Sequence, residues 1–206
     1  TQLYRKLGDL VDYPINYHVR GAIRLAHSRQ RMEEFRHVCS MGKQMGVEFE
    51  MLTNSQIQEL HPYIETHDLE GGQWDPLDGD IDPAQLTQAL ARGAKNNGGK
   101  IIRFCPATNA QRINDEWLIT TPEGDITCEY VVNAAGYRAA EVGKMFGRNV
   151  PCVSLAHQYL ITEPIPELEA NKYKVPLLRD PDSSYYLRQE KDGLLLGPYE
   201  KNCRAH

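Results

Sequence analysis

Val150-Pro151-Cys152-Val153-Ser154-Leu155-Ala156-His157-Gln158-Tyr159-Leu160-Ile161-Thr162-Glu163 is the stretch around which the rest of the chain makes sense as a frame. It is rich in β-branched and aromatic residues, opens beside a proline and stops where Pro164 and Pro166 end regular pairing, so it predicts a long strand. With a period of two, Val153, Leu155, His157, Tyr159 and Ile161 share one face, which sets a titratable ring and a phenol among aliphatics. Two readings of His157 stay open on spacing alone: a core histidine satisfied by one hydrogen bond, or part of a site.

Composition narrows the class. The 206 residues, 41% of them hydrophobic, can bury a core as one large domain or two small ones. A net charge of −5, with no basic run longer than two residues, argues against nucleic acid as the main partner. No stretch approaches the apolar length of a membrane span, and Thr1-Gln2-Leu3-Tyr4-Arg5-Lys6 does not form a signal peptide. Cys39, Cys105, Cys128, Cys152 and Cys203 are far apart and never C-x-x-C, which points to free thiols in a reducing compartment, the cytoplasm or the mitochondrial matrix, rather than to disulfides or zinc. The chain opens inside a helical pattern and closes soon after a strand pair, and so reads as a piece of a longer polypeptide whose N- and C-terminal parts lie elsewhere.

Outward from the opening stretch, the local signals come in order. Leu3 to Leu7 reads as a last helical turn stopped by Gly8. Tyr17-His18-Val19 and Ala22-Ile23-Arg24-Leu25-Ala26 read as short strands. Ser28 caps a helix over Arg29 to Met45, with Met32, Phe35, Val38, Cys39 and Met45 near one face. Phe49 to Leu52 is a brief strand, Thr53 caps a short helix through Leu60, and His61 and His67 read as surface residues.

The densest acidic run, Asp75-Pro76-Leu77-Asp78-Gly79-Asp80-Ile81-Asp82-Pro83, fails as a calcium loop because Pro83 and Ala89 stand where glycine and glutamate are needed. Turn chemistry with Asp82 as N-cap and Pro83 at the first helical position explains it, launching a helix to Lys95 with Leu86 and Leu90 inward. Lys100 to Phe104 reads as a strand, followed by a small meander from Thr108 to Tyr130. Val131-Val132-Asn133-Ala134-Ala135-Gly136 reads as an apolar strand ending in small residues, with a helix over Arg138 to Met145 behind it. Such an ending allows either a bulky ligand or a close-packed helix to approach the backbone.

Taken together, Gly21-Ala22-Ile23-Arg24-Leu25, Asp78 to Pro83, Val131 to Gly136, Leu155-Ala156-His157-Gln158-Tyr159, Leu178-Arg179-Asp180, Tyr185-Tyr186-Leu187-Arg188-Gln189-Glu190 and Gly197-Pro198-Tyr199-Glu200 resemble the family of dimethylglycine and sarcosine dehydrogenases, D-amino-acid-oxidase-like flavoproteins. The resemblance covers almost the whole chain in order. It implies FAD as cofactor and oxidation of a small methylated amine by hydride transfer to flavin N5, with tetrahydrofolate accepting the one-carbon unit in a separate C-terminal domain. It also implies active-site roles for His157 and Tyr186, which would position and deprotonate the amine. Ala107 matches the position that touches the adenine by its backbone, and Ala135 and Gly136 match the loop beside the cofactor. Arg138 stands where the family usually has tryptophan. No G-x-G-x-x-G occurs, so these residues by themselves are expected to bind FAD weakly or not at all.

The expected architecture is α+β. A mixed, largely antiparallel substrate-domain sheet with flanking helices takes residues 9–81 and 149–206, and residues 82–148 contribute part of an FAD-binding α/β domain. The same family includes a non-catalytic relative, so a regulatory or protein-interaction module on this fold is the alternative. No metal site is expected.

Overall fold

The computed structural model describes residues 2–170 and 174–205. In chain order the first elements are α1 (Gln2–Val11), β1 (Tyr17–Val19), β2 (Ala22–Ala26), α2 (Arg29–Gln44), β3 (Glu50–Leu52), α3 (Asn54–Leu60), β4 (Gly71–Asp75), β5 (Gly79–Ile81) and α4 (Pro83–Asn96). Next come β6 (Asn109–Ile113), β7 (Glu116–Thr121), β8 (Gly124–Cys128), a 3-10 turn (Gly136–Arg138) and α5 (Ala139–Met145). The last are β9 (Leu160–Ile161), α6 (Pro166–Ala170), β10 (Leu177–Asp180), β11 (Tyr185–Glu190) and β12 (Gly193–Pro198). Two compact units result: Thr1–Gly98 with His157–Lys201, and Gly99–Ala156 with Asn202–His206.

The first unit is built on a seven-stranded sheet ordered β3-β4-β2-β10-β11-β12-β9. Every pair in it is antiparallel except β2 with β10. Alternation along β2 buries Ile23 and Leu25 on one face, where they meet Leu178 of β10, Leu52 of β3 and Ile57 of α3. α3 starts where the sequence predicts, because the Thr53 side chain and the Gln56 side chain form a reciprocal capping box. α2 likewise starts at Ser28, whose hydroxyl accepts the Arg31 N–H, and α4 starts at Asp82, whose carboxylate accepts the N–H groups of Ala84 and Gln85. A two-stranded ribbon of β1 and β5 completes the unit.

The second unit holds the antiparallel meander β6-β7-β8. Its first turn has both Asn114 and Asp115 at positive φ, the mirror-image turn that matches strand twist. Trp117 of β7 packs edge-on against Phe146, 4.9 Å between ring centroids.

Several local expectations are corrected. The long strand from Val150 to Glu163 shrinks to β9, paired with Leu195 and Leu196, plus an isolated bridge between Leu155 and Ala205. A β-rich stretch still needs a partner, and here the Ala156 N–H goes to the Arg204 carbonyl and the Gln158 N–H to the Glu200 carboxylate, so no continuous ladder forms. The expected apolar face of that strand is absent, since Val153, Leu155, Tyr159 and Ile161 are all exposed. α1 runs through Gly8 to Val11, because burial of Leu7 and Val11 against Ala89 of α4 outweighs the glycine's helix penalty. Leu90 and Met45 point outward, and Lys100 to Phe104 and Val131 to Ala135 form no strand among the described residues. His61 is fully buried rather than a surface residue, while His67 is exposed.

All five cysteines are free thiols. Among the described residues no helix is long and apolar enough to cross a membrane, and no cluster of His, Cys, Asp and Glu could hold a metal ion.

Candidate functional site

His157 lies just before β9, and its ring is placed by contacts rather than by a strand. Its Nδ1 is 3.0 Å from Oε2 of Glu200, and Oε1 of the same carboxylate accepts the Gln158 N–H at 3.1 Å. The hydrogen bond to His157, reinforced by backbone N–H groups, holds the Glu200 carboxyl below the usual carboxylate range. With Glu200 ionised and acceptor-only, Nδ1 is the donor of this bond, and Nε2 is left free of it. The imidazole is two-thirds covered, at 33% side-chain exposure, so it is sheltered yet reachable.

Tyr186 sits in β11 opposite Gly197 of β12. Its ring lies across that glycine: a methyl group at 197 would overlap the phenol, so the residue opposite must lack a side chain. The next aromatic along the chain, Tyr199, joins the two sequence-predicted residues. Its ring meets His157 edge-on at 5.2 Å and tilts against Tyr186 at 5.8 Å. His157 and Tyr186 therefore flank one phenol, although they belong to different strand regions of the first unit.

Tyr199 and Glu200 are the members that sequence reasoning missed as functional groups. Gly197-Pro198-Tyr199-Glu200 could have flagged them, since a glycine opposite an aromatic in a hairpin strand marks a ring lying over backbone. Their proximity to His157 rests on the pairing of β12 with β9, which the sequence alone does not give.

The residues matched to the cofactor lie in the second unit. Ala107 is exposed two residues before β6, and Ala135 precedes and Gly136 begins the 3-10 turn before α5. Gly136 has φ +57 with open space where a Cβ would stand, and the Ala135 N–H is held by the Asn133 side chain. Ala107 and Gly136 are exposed and Ala135 is half-buried, and such small side chains would let a planar ring system approach the backbone. Arg138, at the position the resemblance gives to tryptophan, sits 5.6 Å from the Tyr137 ring centroid.

The class of domain, a flavin-dependent oxidoreductase fold, is shown by comparison with known proteins. The chain belongs to the FAD dependent oxidoreductase family, whose model matches residues 1–205. It is similar to mouse (Mus musculus) mitochondrial dimethylglycine dehydrogenase, 40% identical over 200 residues that make up 97% of this chain and 23% of the relative. It is also similar to human (Homo sapiens) mitochondrial sarcosine dehydrogenase, 37% identical over 188 residues, 88% of this chain and 20% of that protein. The chain thus spans less than a quarter of the length of either. Among solved structures, L-proline dehydrogenase from P. horikoshii superposes with a TM-score of 0.79 at 23% identity, covering 95% of this chain and 52% of that one, which supports the fold.

Proposed function

We propose that the full-length protein is an FAD-dependent oxidoreductase that oxidatively demethylates N-methyl amines such as dimethylglycine or sarcosine. The observation that carries this reading is the convergence of His157, backed by Glu200, and Tyr186 on one phenol, in a chain of this family. Residues 9–81 and 149–206 would serve the substrate and residues 82–148 would serve the cofactor. When bound, FAD supplies the hydride acceptor at N5. Ala107, Ala135 and Gly136 would hold its rim through their backbone, leaving the pyrophosphate to parts of the protein outside these residues.

The remaining chemistry belongs to the side chains. An alkylated amine near neutral pH is largely an ammonium ion, and oxidation at the neighbouring carbon needs its lone pair. Nε2 of His157 takes that proton, and the Glu200 carboxylate on Nδ1 stabilises the imidazolium that forms. The Tyr186 hydroxyl orients the nitrogen. Loss of hydride from a methyl group leaves an iminium, whose one-carbon unit can pass to tetrahydrofolate in a separate C-terminal domain. The free thiols suit a reducing compartment, the cytoplasm or the mitochondrial matrix.

Kinetics of the flavin-loaded full-length protein test this reading. His157→Ala or Tyr186→Phe should lower turnover of dimethylglycine or sarcosine by about two to four powers of ten while leaving flavin absorbance unchanged. Near wild-type oxidation by both variants would make the cluster structural and defeat the assignment.

A further inference from the structure

His27 immediately follows β2, and both its ring nitrogens face carboxylates. Nε2 lies 2.8 Å from Oδ2 of Asp180, and Nδ1 lies 3.4 Å from Oδ2 of Asp68. A neutral imidazole has a single N–H and would turn a lone pair toward one of the two, whereas the charged ring donates to both. Asp180 is buried, at 2% exposure, and a carboxylate at that depth is costly without a cation beside it.

Asp180 also shapes the turn at residues 181–184, between β10 and β11. Its Oδ1 accepts the N–H groups of Asp182 and Ser183, at 3.1 and 2.9 Å. Asp182 accepts the His27 backbone N–H at 3.2 Å and the Arg31 guanidinium at 2.9 and 2.7 Å. Ser184 ends the turn at φ +59, a left-handed conformation that a residue with a side chain keeps only where its neighbours hold it. Its carbonyl accepts the Tyr199 N–H at 2.8 Å, one rung beyond the pairing of Tyr185 with Pro198. A continuous set of bonds therefore runs from the His27 ring through the turn to Tyr199, whose own ring lies against His157 and Tyr186.

We propose that His27 is a positioning residue for Tyr199: its charged ring holds Asp180 and the turn so that the Tyr199 ring stays between His157 and Tyr186, and loss of the charge lets that ring shift. The effect on turnover rests on the amine-oxidase reading; the tie itself does not. The groups facing His27 are Asp180 of β10, Asp68 from the segment before β4 and Asp182 of the turn, with Arg31 and Glu34 of α2 beyond Asp182. Tyr185 of β11 is nearby, its phenol kept protonated by burial and by the charges of Asp180 and Asp68. Burial opposes the charge on His27, but the hydrogen bond to Asp180 and the three carboxylates outweigh it, so its pKa lies above the ordinary 6.5. The tie is thus complete below pH 6.5 and is released as pH rises through the raised value.

The test uses flavin-loaded full-length protein with 4-fluorophenylalanine at position 199, a ring of the same shape without an ionisable hydroxyl. Its 19F shift, followed from about pH 5.5 to 8.5, reads the setting of the ring. With His27 present a step above pH 6.5 is expected; in His27→Gln the step should be missing, and in His27→Lys the acid-side setting should persist across the range. Unlabelled protein gives a second reading. The ratio of wild-type to His27→Gln kcat for dimethylglycine should be about 10 below pH 6.5 and fall toward unity through the same step, while His27→Lys stays within about threefold of wild type below pH 6.5. Fluorine titrations that coincide with and without His27 overturn the proposal, as does Lys behaving like Gln, since the charge would then not be what holds the ring. Absence of any step above pH 6.5 when His27 is present overturns it before a variant is made. If no methylated amine is oxidised but the His27-dependent step is seen, the amine-oxidase reading falls and the tie stands.

Discussion

Lowering the pH should unfold this chain partly through His61. The residue closes α3, its backbone N–H bonded to the Ile57 carbonyl at 2.8 Å, and its side chain is 0% exposed. Neither ring nitrogen has a hydrogen-bond partner. Burial pushes its pKa down from the ordinary 6.5 to about 4. Between those values the unfolded chain binds a proton that the folded chain refuses, so unfolding becomes easier as pH falls through that window. The gap between 6.5 and about 4 corresponds to about 3 kcal/mol, present in full above pH 6.5 and lost by pH 4. Urea unfolding of the wild type and of His61→Phe at half-unit steps from pH 7.5 to 4 measures it. The difference between the two stability curves should swing by about 3 kcal/mol across the window, the wild type losing ground as acid is added. Parallel curves, or a His61 ring signal that titrates near pH 6.5 in the folded protein, would refute the argument.

Two further outcomes follow from single contacts. Asp180, buried at the end of β10, accepts His27 Nε2 at 2.8 Å and the N–H groups of Asp182 and Ser183, so Asp180→Ala should cost about 2–4 kcal/mol in urea unfolding. Burial alone would lower the His27 pKa, but the Asp180 hydrogen bond and the charges of Asp180, Asp68 and Asp182 raise it, so its contribution is full below pH 6.5 and fades as pH rises through the raised value, and the raised value should fall in Asp180→Ala when the ring is titrated by NMR. Gly197→Ala should displace the Tyr186 ring and cost about 1–3 kcal/mol of stability, seen as a lower urea midpoint with unchanged slope.

Much of the fold was legible because its signals are local. Ser28, Thr53 and Asp82 announce their helices through side-chain oxygens placed to accept the first free N–H groups, and the meander announces itself by alternation and turn residues. Errors gathered where a partner decides the state. Val131 to Ala135 and Lys100 to Phe104 carry strand-forming residues, yet no neighbour pairs with them among the described residues. Gly8 reads as a stop signal, and only the packing of Leu7 and Val11 on α4 shows why the helix ignores it. His61 could not be told from an exposed histidine, since its burial comes from the packing around α3 and not from its neighbours in sequence.

The candidate site divides along the same line. Tyr186 occupies a regular strand position, so once β10, β11 and β12 are in register its face is fixed by the backbone. His157 has no such support: its side chain is set by Glu200, by the Gln158 N–H bond to the same carboxylate, and by the edge of Tyr199. Paired strands fix the face on which a side chain stands, whereas a ring oriented only by side-chain contacts shifts when any one of them is lost. In the proposed amine oxidation, the strand-borne Tyr186 would hold the substrate and the ring tied by Glu200 would move the proton.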